Sequence, residues 1–238
     1  MTRWAMVADL RRCVGCQTCT ASCKVSNATP PGVQWRRVID MEFGVYPDVQ
    51  RVFVPVGCQH CDEPSCLDVC PTTATKKRAD GIVTIDYDIC IGCAYCAVAC
   101  PYQARYKTER ATFAYGQASE HETQRQDDAR LAVATKCTFC VDRIDAGLAQ
   151  GLTPGVDPAA TPACVNACIA DALAFGDLED PQSNVSRLLA ENGHFRMQEE
   201  LGNGPGFFYL WDQPAGARDA AAPAADTATR APLEETLP

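Results

Sequence analysis

Sixteen cysteines fall into four groups of four, and no other feature of this 238-residue chain restricts its folding as tightly. The first group is Cys13, Cys16, Cys19 and Cys23, spaced C-x2-C-x2-C-x3-C. The second is Cys58, Cys61, Cys66 and Cys70, followed by Pro71. The third is Cys90, Cys93, Cys96 and Cys100, followed by Pro101. The fourth is Cys137, Cys140, Cys164 and Cys168, and no cysteine is left over.

A cubane iron–sulfur core needs four thiolates set tetrahedrally around a bulky inorganic body. Two-residue gaps let one tight loop turn three thiolates onto one core. A fourth cysteine, three residues further on, starts a helix that leads away and ligates the neighbouring core in two-cluster ferredoxins. Pro71 and Pro101 fix the backbone where the chain leaves such a ligand. The second and third runs are separated by the 19 residues Pro71 to Ile89, the interval of a self-contained two-cluster unit. Cys58, Cys61, Cys66 and Cys100 are therefore expected around one [4Fe–4S] cluster, and Cys90, Cys93, Cys96 and Cys70 around its neighbour. By elimination, Cys13, Cys16 and Cys19 join Cys168, and Cys137, Cys140 and Cys164 join Cys23.

Other uses of cysteine fit less well. Disulfides suit an oxidising compartment, but the cysteines sit in tight runs and the start MTRWAMVADLRRC has no apolar signal core. Zinc takes C-x2-C half-sites, but three cysteines in seven residues followed by a fourth is not a zinc pattern. A [3Fe–4S] core needs a run with a missing cysteine, and each run is complete. The 47% hydrophobic fraction counts the cysteines, and without them it falls to roughly 40%, lean for a core of this size. Metal–thiolate bonds are then expected to help hold the fold.

Around the runs, Trp4 to Leu10 reads as a short strand. Lys24 to Gly57 reads as a long connector with strand-like segments Trp35–Phe43 and Arg51–Val56. Asp80-Gly81 marks a hairpin turn between Thr75–Arg78 and Ile82–Asp86. VDRIDAGLAQG reads as a short helix stopped at Gly147 or Gly151, Leu173–Phe175 as a strand, and Asn184–Glu200 as a helix spaced by Val185, Leu188, Leu189 and Phe195. The expected fold class is α+β, with two pseudo-symmetric two-cluster ferredoxin-like units and loop-rich insertions. Residues 1–57 with 131–180 form the first unit (runs one and four) and 58–107 the second (runs two and three). Residues 108–130 are an exposed polar insertion, 181–213 a C-terminal helix and apolar patch, and 214–238 an Ala/Pro-rich tail, too poor in apolar bulk to pack alone and ordered only along a partner.

At these residues the chain resembles the four-cluster iron–sulfur subunit of DMSO reductase-family molybdenum or tungsten oxidoreductases. CVGCQTCTASCK, CQHCDEPSCLDVCP, DGIVTIDYDICIGCAYCAVACPYQARY and KCTFCVDRIDAGLAQGLTP…ACVNAC all look like its motifs, over roughly residues 1–210. In the nitrate reductase branch a tryptophan replaces the second cysteine of the third run and gives a [3Fe–4S] cluster. Here that residue is Cys93. The fourth run ends Cys168-Ile169 where relatives often have Cys-Pro. The third and fourth runs, with PGVQW near Trp35, are also similar to the iron–sulfur subunit of phenylacetyl-CoA:acceptor oxidoreductase.

The resemblance implies an electron relay with no substrate site of its own. Its implied partners are a large molybdopterin catalytic subunit, with a bis-pterin molybdenum or tungsten centre, and a quinone-linked membrane subunit or other acceptor. Electrons would pass through the unit of runs one and four and then that of runs two and three. A freestanding soluble polyferredoxin is the alternative. The long insertions and the tail favour a bound subunit. An enzyme with its own site lacks support, since no cysteine is spare and no Gly-rich phosphate loop appears. A net charge of −9, which four cluster dianions would take to about −17, excludes a nucleic-acid surface. No stretch of 18 apolar residues offers a membrane span. The expected location is the cytoplasm or the cytoplasmic membrane face, or the periplasm by co-export with a signal-bearing partner.

Arg11, Arg12, Lys24, Lys76, Lys77, Arg78, Lys136 and Arg143 lie near ligands in sequence. Positive charge there would raise cluster potentials, with Lys24 and Lys136, directly beside ligands, the leading candidates; solubility or docking accounts for most of the rest. His60, between Cys58 and Cys61, is expected to make a structural contact rather than bind metal. Trp4, Trp35 and Trp211 suit either an interface or the core. The FFYLW patch, Phe207–Trp211, is expected to dock on the chain or on a partner.

Overall fold

Strand β1 (Trp4–Asp9) is buried on both faces, and a four-stranded sheet forms around it. The computed structural model describes residues 1–211. In chain order there follow α1 (Thr18–Asn27), β2 (Arg36–Val45), β3 (Asp48–Gly57), α2 (Ser65–Asp68), β4 (Thr75–Lys77), β5 (Val83–Ile85), α3 (Tyr95–Val98) and β6 (Tyr106–Lys107). The second half has α4 (Glu120–Arg125), β7 (Ala134–Thr135), α5 (Val141–Ala149), α6 (Ala163–Asn166), β8 (Leu173–Asp177), α7 (Asn184–Glu191), β9 (His194–Arg196) and β10 (Phe207–Leu210).

The sheet order is β8-β1-β10-β9. β1 runs antiparallel to β8 and parallel to β10, with Met6 opposite both Phe175 and Phe207. One face presents Trp4, Met6, Ala8, Phe175, Phe207 and Tyr209 to the main core. The other presents Val7 and Leu210 to Val185, Leu188 and Leu189 of α7. FFYLW therefore docks on its own chain: Phe207, Tyr209 and Leu210 are fully buried in the sheet. Trp4 and Trp35 are buried too, and Trp211 packs half-buried against the core.

One sequence expectation is borne out and extended, and one is corrected. The two strand-like segments of the connector Lys24–Gly57 are strands, and they form one long hairpin, Arg36–Val45 pairing along its whole length with Asp48–Gly57. Its base is buried through Val52, Val54 and Val56, while Phe43, Val45, Tyr46 and Val49 stand exposed at its tip. The C-terminal helix ends at Glu191, where Asn192 Nδ2 caps the Leu188 carbonyl at 2.9 Å. Phe195 is helically spaced in sequence but lies in β9, opposite Tyr209.

Other elements stand near their expected places. β4 and β5 pair across the Asp80-Gly81 turn, with Gly81 at φ 84°. α5 ends between the two expected stops. Segment 108–130 is largely exposed and carries α4, capped reciprocally by Ser119 and Glu122. It is tied down in its middle by His121 Nε2 to the Val25 carbonyl at 2.8 Å and at its end by Arg130 Nη1 to the Asn27 carbonyl at 2.8 Å. The Ala/Pro-rich tail from Pro214 lies outside the described residues.

Candidate metal centres

The four runs share one local construction. The residue before the second cysteine has a left-handed backbone in every run: Gly15 (φ 68°), His60 (φ 44°), Gly92 (φ 63°) and Phe139 (φ 57°). That reversal lets the C-x2-C loop turn back on itself, and in three runs a further left-handed residue follows, Gln17, Ala94 and Cys140. Glycine adopts it freely, whereas His and Phe need surrounding contacts to hold it. The third cysteine is the second residue of a short helix in every run: Cys19 in α1, Cys66 in α2, Cys96 in α3 and Cys164 in α6. There the free N–H groups of the first turn favour a thiolate. The fourth cysteine follows one helical turn later and is carried away from the third.

All sixteen cysteines are free thiols, and they gather in four sets. Cys13, Cys16, Cys19 and Cys168 line one pocket. Cys70, Cys90, Cys93 and Cys96 line another. Cys23 feels the charges of Cys137, Cys164 and Cys140, and Cys61 those of Cys58, Cys66 and Cys100. Each set takes three cysteines from one run and the fourth from another. Among the described residues no three His, Cys, Asp or Glu side chains converge closely enough for one metal ion. Loose sets of four thiols around a gap suit a multi-iron core, whose sulfurs are held well apart.

Burial, with the neighbouring thiols, pushes the Cys61 thiol up to about 12. Cys137 is likewise pushed up to about 12 by burial and by Cys164, with Arg36 opposing. Such thiols give up their protons readily only to a metal, which keeps thiolates ionised. Cys16 is lowered by the Thr18 hydroxyl, which donates to its sulfur at 3.3 Å. Several N–H groups also aim at sulfur: Ala172 N–H at Cys168 (3.2 Å), Phe139 N–H at Cys137 (3.4 Å) and Arg105 Nη2 at Cys66 (2.9 Å).

The sets follow one another through the molecule. Cys19 of the first neighbours Cys164 of the second. Cys137 of the second neighbours Cys58 of the third. Arg105 faces Cys66 and Cys58 of the third and Cys96 of the fourth. Only the end sets hold an exposed cysteine, Cys16 in one and Cys93 in the other.

Lys136 lies buried beside the junction of the second and third sets, bonded to the Val83 carbonyl and, at 2.8 Å, to the Cys137 carbonyl. Lys24 is turned elsewhere. Its ammonium group donates to the carbonyls of Thr29 (2.8 Å), Pro30 (2.7 Å) and Val33 (3.3 Å), closing the loop after α1. Arg11 pairs with Asp9, Arg12 with Asp171, Lys76 with Asp86, Lys77 with Asp62 and Arg78 with Asp145. Arg143 ties the Thr161 and Pro158 carbonyls. His60 is fully buried and accepts the Val83 N–H on Nδ1 at 3.0 Å. Burial, then Lys136, Arg36 and Arg3, hold its pKa well below the ordinary histidine range, so the ring is neutral.

Two residues escaped sequence reading. Arg36 begins β2 and Arg105 follows the third run, and both are buried. Each looks in sequence like an ordinary arginine of a half-exposed segment.

A family model described as "4Fe-4S dicluster domain" matches residues 49–115, and a second of the same description matches 89–142. The selenate reductase B subunit of Mesobacillus selenatarsenatis is 40% identical over 221 residues, covering 87% of this chain and 72% of the relative. The sulfite dehydrogenase B subunit of Allochromatium vinosum is 40% identical over 227 residues, 88% of this chain and 83% of the relative. The arsenate respiratory reductase iron–sulfur subunit of Shewanella sp. is 35% identical over 236 residues, 87% of this chain and 96% of the relative.

Proposed function

The chain belongs to the iron–sulfur subunits of molybdenum oxidoreductases, built on 4Fe-4S dicluster domains, and from that premise we propose that it relays electrons through four [4Fe–4S] clusters. The clusters would be held by Cys13, Cys16, Cys19 and Cys168; by Cys137, Cys140, Cys164 and Cys23; by Cys58, Cys61, Cys66 and Cys100; and by Cys90, Cys93, Cys96 and Cys70. Runs one and four make one unit and runs two and three the other, and the two are pseudo-symmetric.

The observation that carries this reading is the succession of four cysteine sets with an exposed cysteine only at each end, Cys16 and Cys93. Each cluster supplies one-electron chemistry when bound. The protein's part is to hold neighbouring sets close, to keep water from the inner two, and to leave one edge of each end set open to a partner. A molybdenum or tungsten bis-pterin subunit at one end and a quinone-linked membrane subunit or other acceptor at the other fit this shape. Among the described residues no helix is long and apolar enough to cross a membrane. The complex works in the cytoplasm or at the cytoplasmic face. Phenylacetyl-CoA oxidation is the substrate reading suggested by the third and fourth runs and the PGVQW segment.

Iron and acid-labile sulfide analysis tests the cluster count. About sixteen irons per chain are expected, whereas about eight, or stoichiometric zinc, would overturn it. Purification of the native protein tests the role. A large molybdenum- or tungsten-containing subunit should accompany it, and isolation as a lone chain would favour a freestanding polyferredoxin. The substrate oxidised by that large subunit decides the phenylacetyl-CoA reading.

A further inference from the structure

Arg36 and Arg105 are buried cations for which no carboxylate partner exists among the described residues. Arg36 is 1% exposed. Its Nη2 meets only the Met6 thioether at 2.9 Å, its guanidinium lies 4.8 Å from the centre of the Phe207 ring, and its Nε and Nη1 have no hydrogen-bond partner. A thioether and a ring face do not neutralise a full charge, and a guanidinium does not shed its proton in a protein. Leaving such a charge uncompensated is strongly unfavourable. Arg105 is 7% exposed, and donates from Nη1 to the Thr75 hydroxyl at 3.1 Å and from Nη2 to the Cys66 sulfur at 2.9 Å.

What faces each guanidinium is the same in both halves of the molecule. Arg36 has Cys19 and Cys164 among its charged neighbours, the third cysteines of runs one and four. Arg105 has Cys66 and Cys96, the third cysteines of runs two and three. The missing counter-charge would thus come from thiolates of two adjacent sets at once, ionised when a metal core is bound. Yet the two arginines come from unrelated places, one opening a long hairpin and the other following a cysteine run.

We propose that Arg36 and Arg105 are shared cationic posts, one in each two-cluster unit, each holding up the reduction potentials of both clusters of its own unit. The inference rests on the four-cluster assignment above. A cluster gains one negative charge on reduction, and a fixed positive charge beside it stabilises that form. Hydrogen bonds to its sulfurs act in the same direction. Placed between two clusters, one guanidinium acts on both and screens each from the charge of the other. In a dry interior this influence is far less screened than that of the paired surface arginines.

The test uses the native complex with Arg36→Gln, Arg36→Lys, Arg105→Gln and Arg105→Lys, each assayed for iron and titrated potentiometrically by EPR. Arg36→Gln should move two of the four midpoints downward and leave two in place. Arg105→Gln should move the other two. The Lys variants should stay near the wild type. The proposal is overturned if a Gln variant keeps its full iron and moves no midpoint, or if both Gln variants move the same clusters. Where a Gln variant loses iron, its Lys counterpart decides: full loading and wild-type midpoints support a requirement for charge, while the same loss shows a requirement for guanidinium shape and overturns the proposal. A wild-type iron content far below about sixteen per chain would instead refute the underlying cluster assignment.

Discussion

The imidazole of His60 stacks on the ring of Phe139 with centroids 3.8 Å apart. The two residues occupy the same place in their runs, immediately before the second cysteine, where the other two runs have glycine. His60 belongs to the third cysteine set and Phe139 to the second, so the stack lies at the seam between the proposed units. Each ring stabilises a left-handed backbone that its side chain would otherwise disfavour. Phe139 also meets Phe175 edge-on at 5.3 Å, which connects the seam to the central sheet.

Phe139→Ala should therefore loosen the seam. It removes a fully buried ring that packs against two others and keeps the unfavourable backbone. The expected cost is about 3–5 kcal/mol. Denaturant titration followed through visible cluster absorbance should show a lower midpoint, and an unchanged midpoint would mean that the stack is incidental.

Much of the site was legible because its construction is local. Two-residue gaps, a left-handed turn and a helix start are encoded within a dozen residues, and the Asp80-Gly81 hairpin follows from turn chemistry alone. What was not legible depends on distant partners. β10 lies parallel to β1 from almost the other end of the described chain, so FFYLW read as a patch that docks on the chain or on a partner, with no sign of the strand it pairs with. Phe195 keeps helical spacing from Leu188, but Gly193 and the Asn192 cap end the helix before it. Arg36 escaped notice because nothing local shows that the hairpin base turns its first residue into the core.

Gly92→Ala tests the local construction. Gly92 has φ 63°, and a Cβ there would collide with the Ala132 carbonyl. Relief requires the loop between Cys90 and Cys93 to shift, which spoils the set they share with Cys96 and Cys70. Iron content should fall by about four per chain. Full iron content would show that the loop can adapt.

Acid should weaken one contact across the seam. Arg78, beyond the β4 strand, holds Asp145 of α5 through two hydrogen bonds of 2.7 and 2.8 Å. The Arg78 hydrogen bond lowers the Asp145 carboxyl below its ordinary value of 3.8. A lowered folded pKa means that stability is present above the unfolded value of about 4 and is lost as pH falls through the folded one. Both side chains are partly exposed, so the effect is small. Asp145→Asn should remove this contribution at neutral pH and flatten the stability profile below about pH 4. A profile identical to the wild type would show that the pair contributes nothing.

Lys136→Met argues the same electrostatics at the seam itself. Lys136 is 1% exposed and its ammonium group donates to the carbonyls of Val83 and Cys137, so the fold holds it in place. Its charge acts on Cys66 of the third set, while its backbone continues directly into Cys137 of the second. Removing the charge and keeping the aliphatic volume should lower the midpoint of one or both inner clusters and leave the outer two unmoved. Lys24→Met, one residue from Cys23, is the contrasting case, because that ammonium group is spent on the carbonyls of Thr29, Pro30 and Val33. It should destabilise the loop after α1 with a smaller effect on any midpoint. Potentiometric EPR on both variants separates the two roles, and equal shifts would mean that sequence proximity to a ligand, rather than the direction of the side chain, sets the potential.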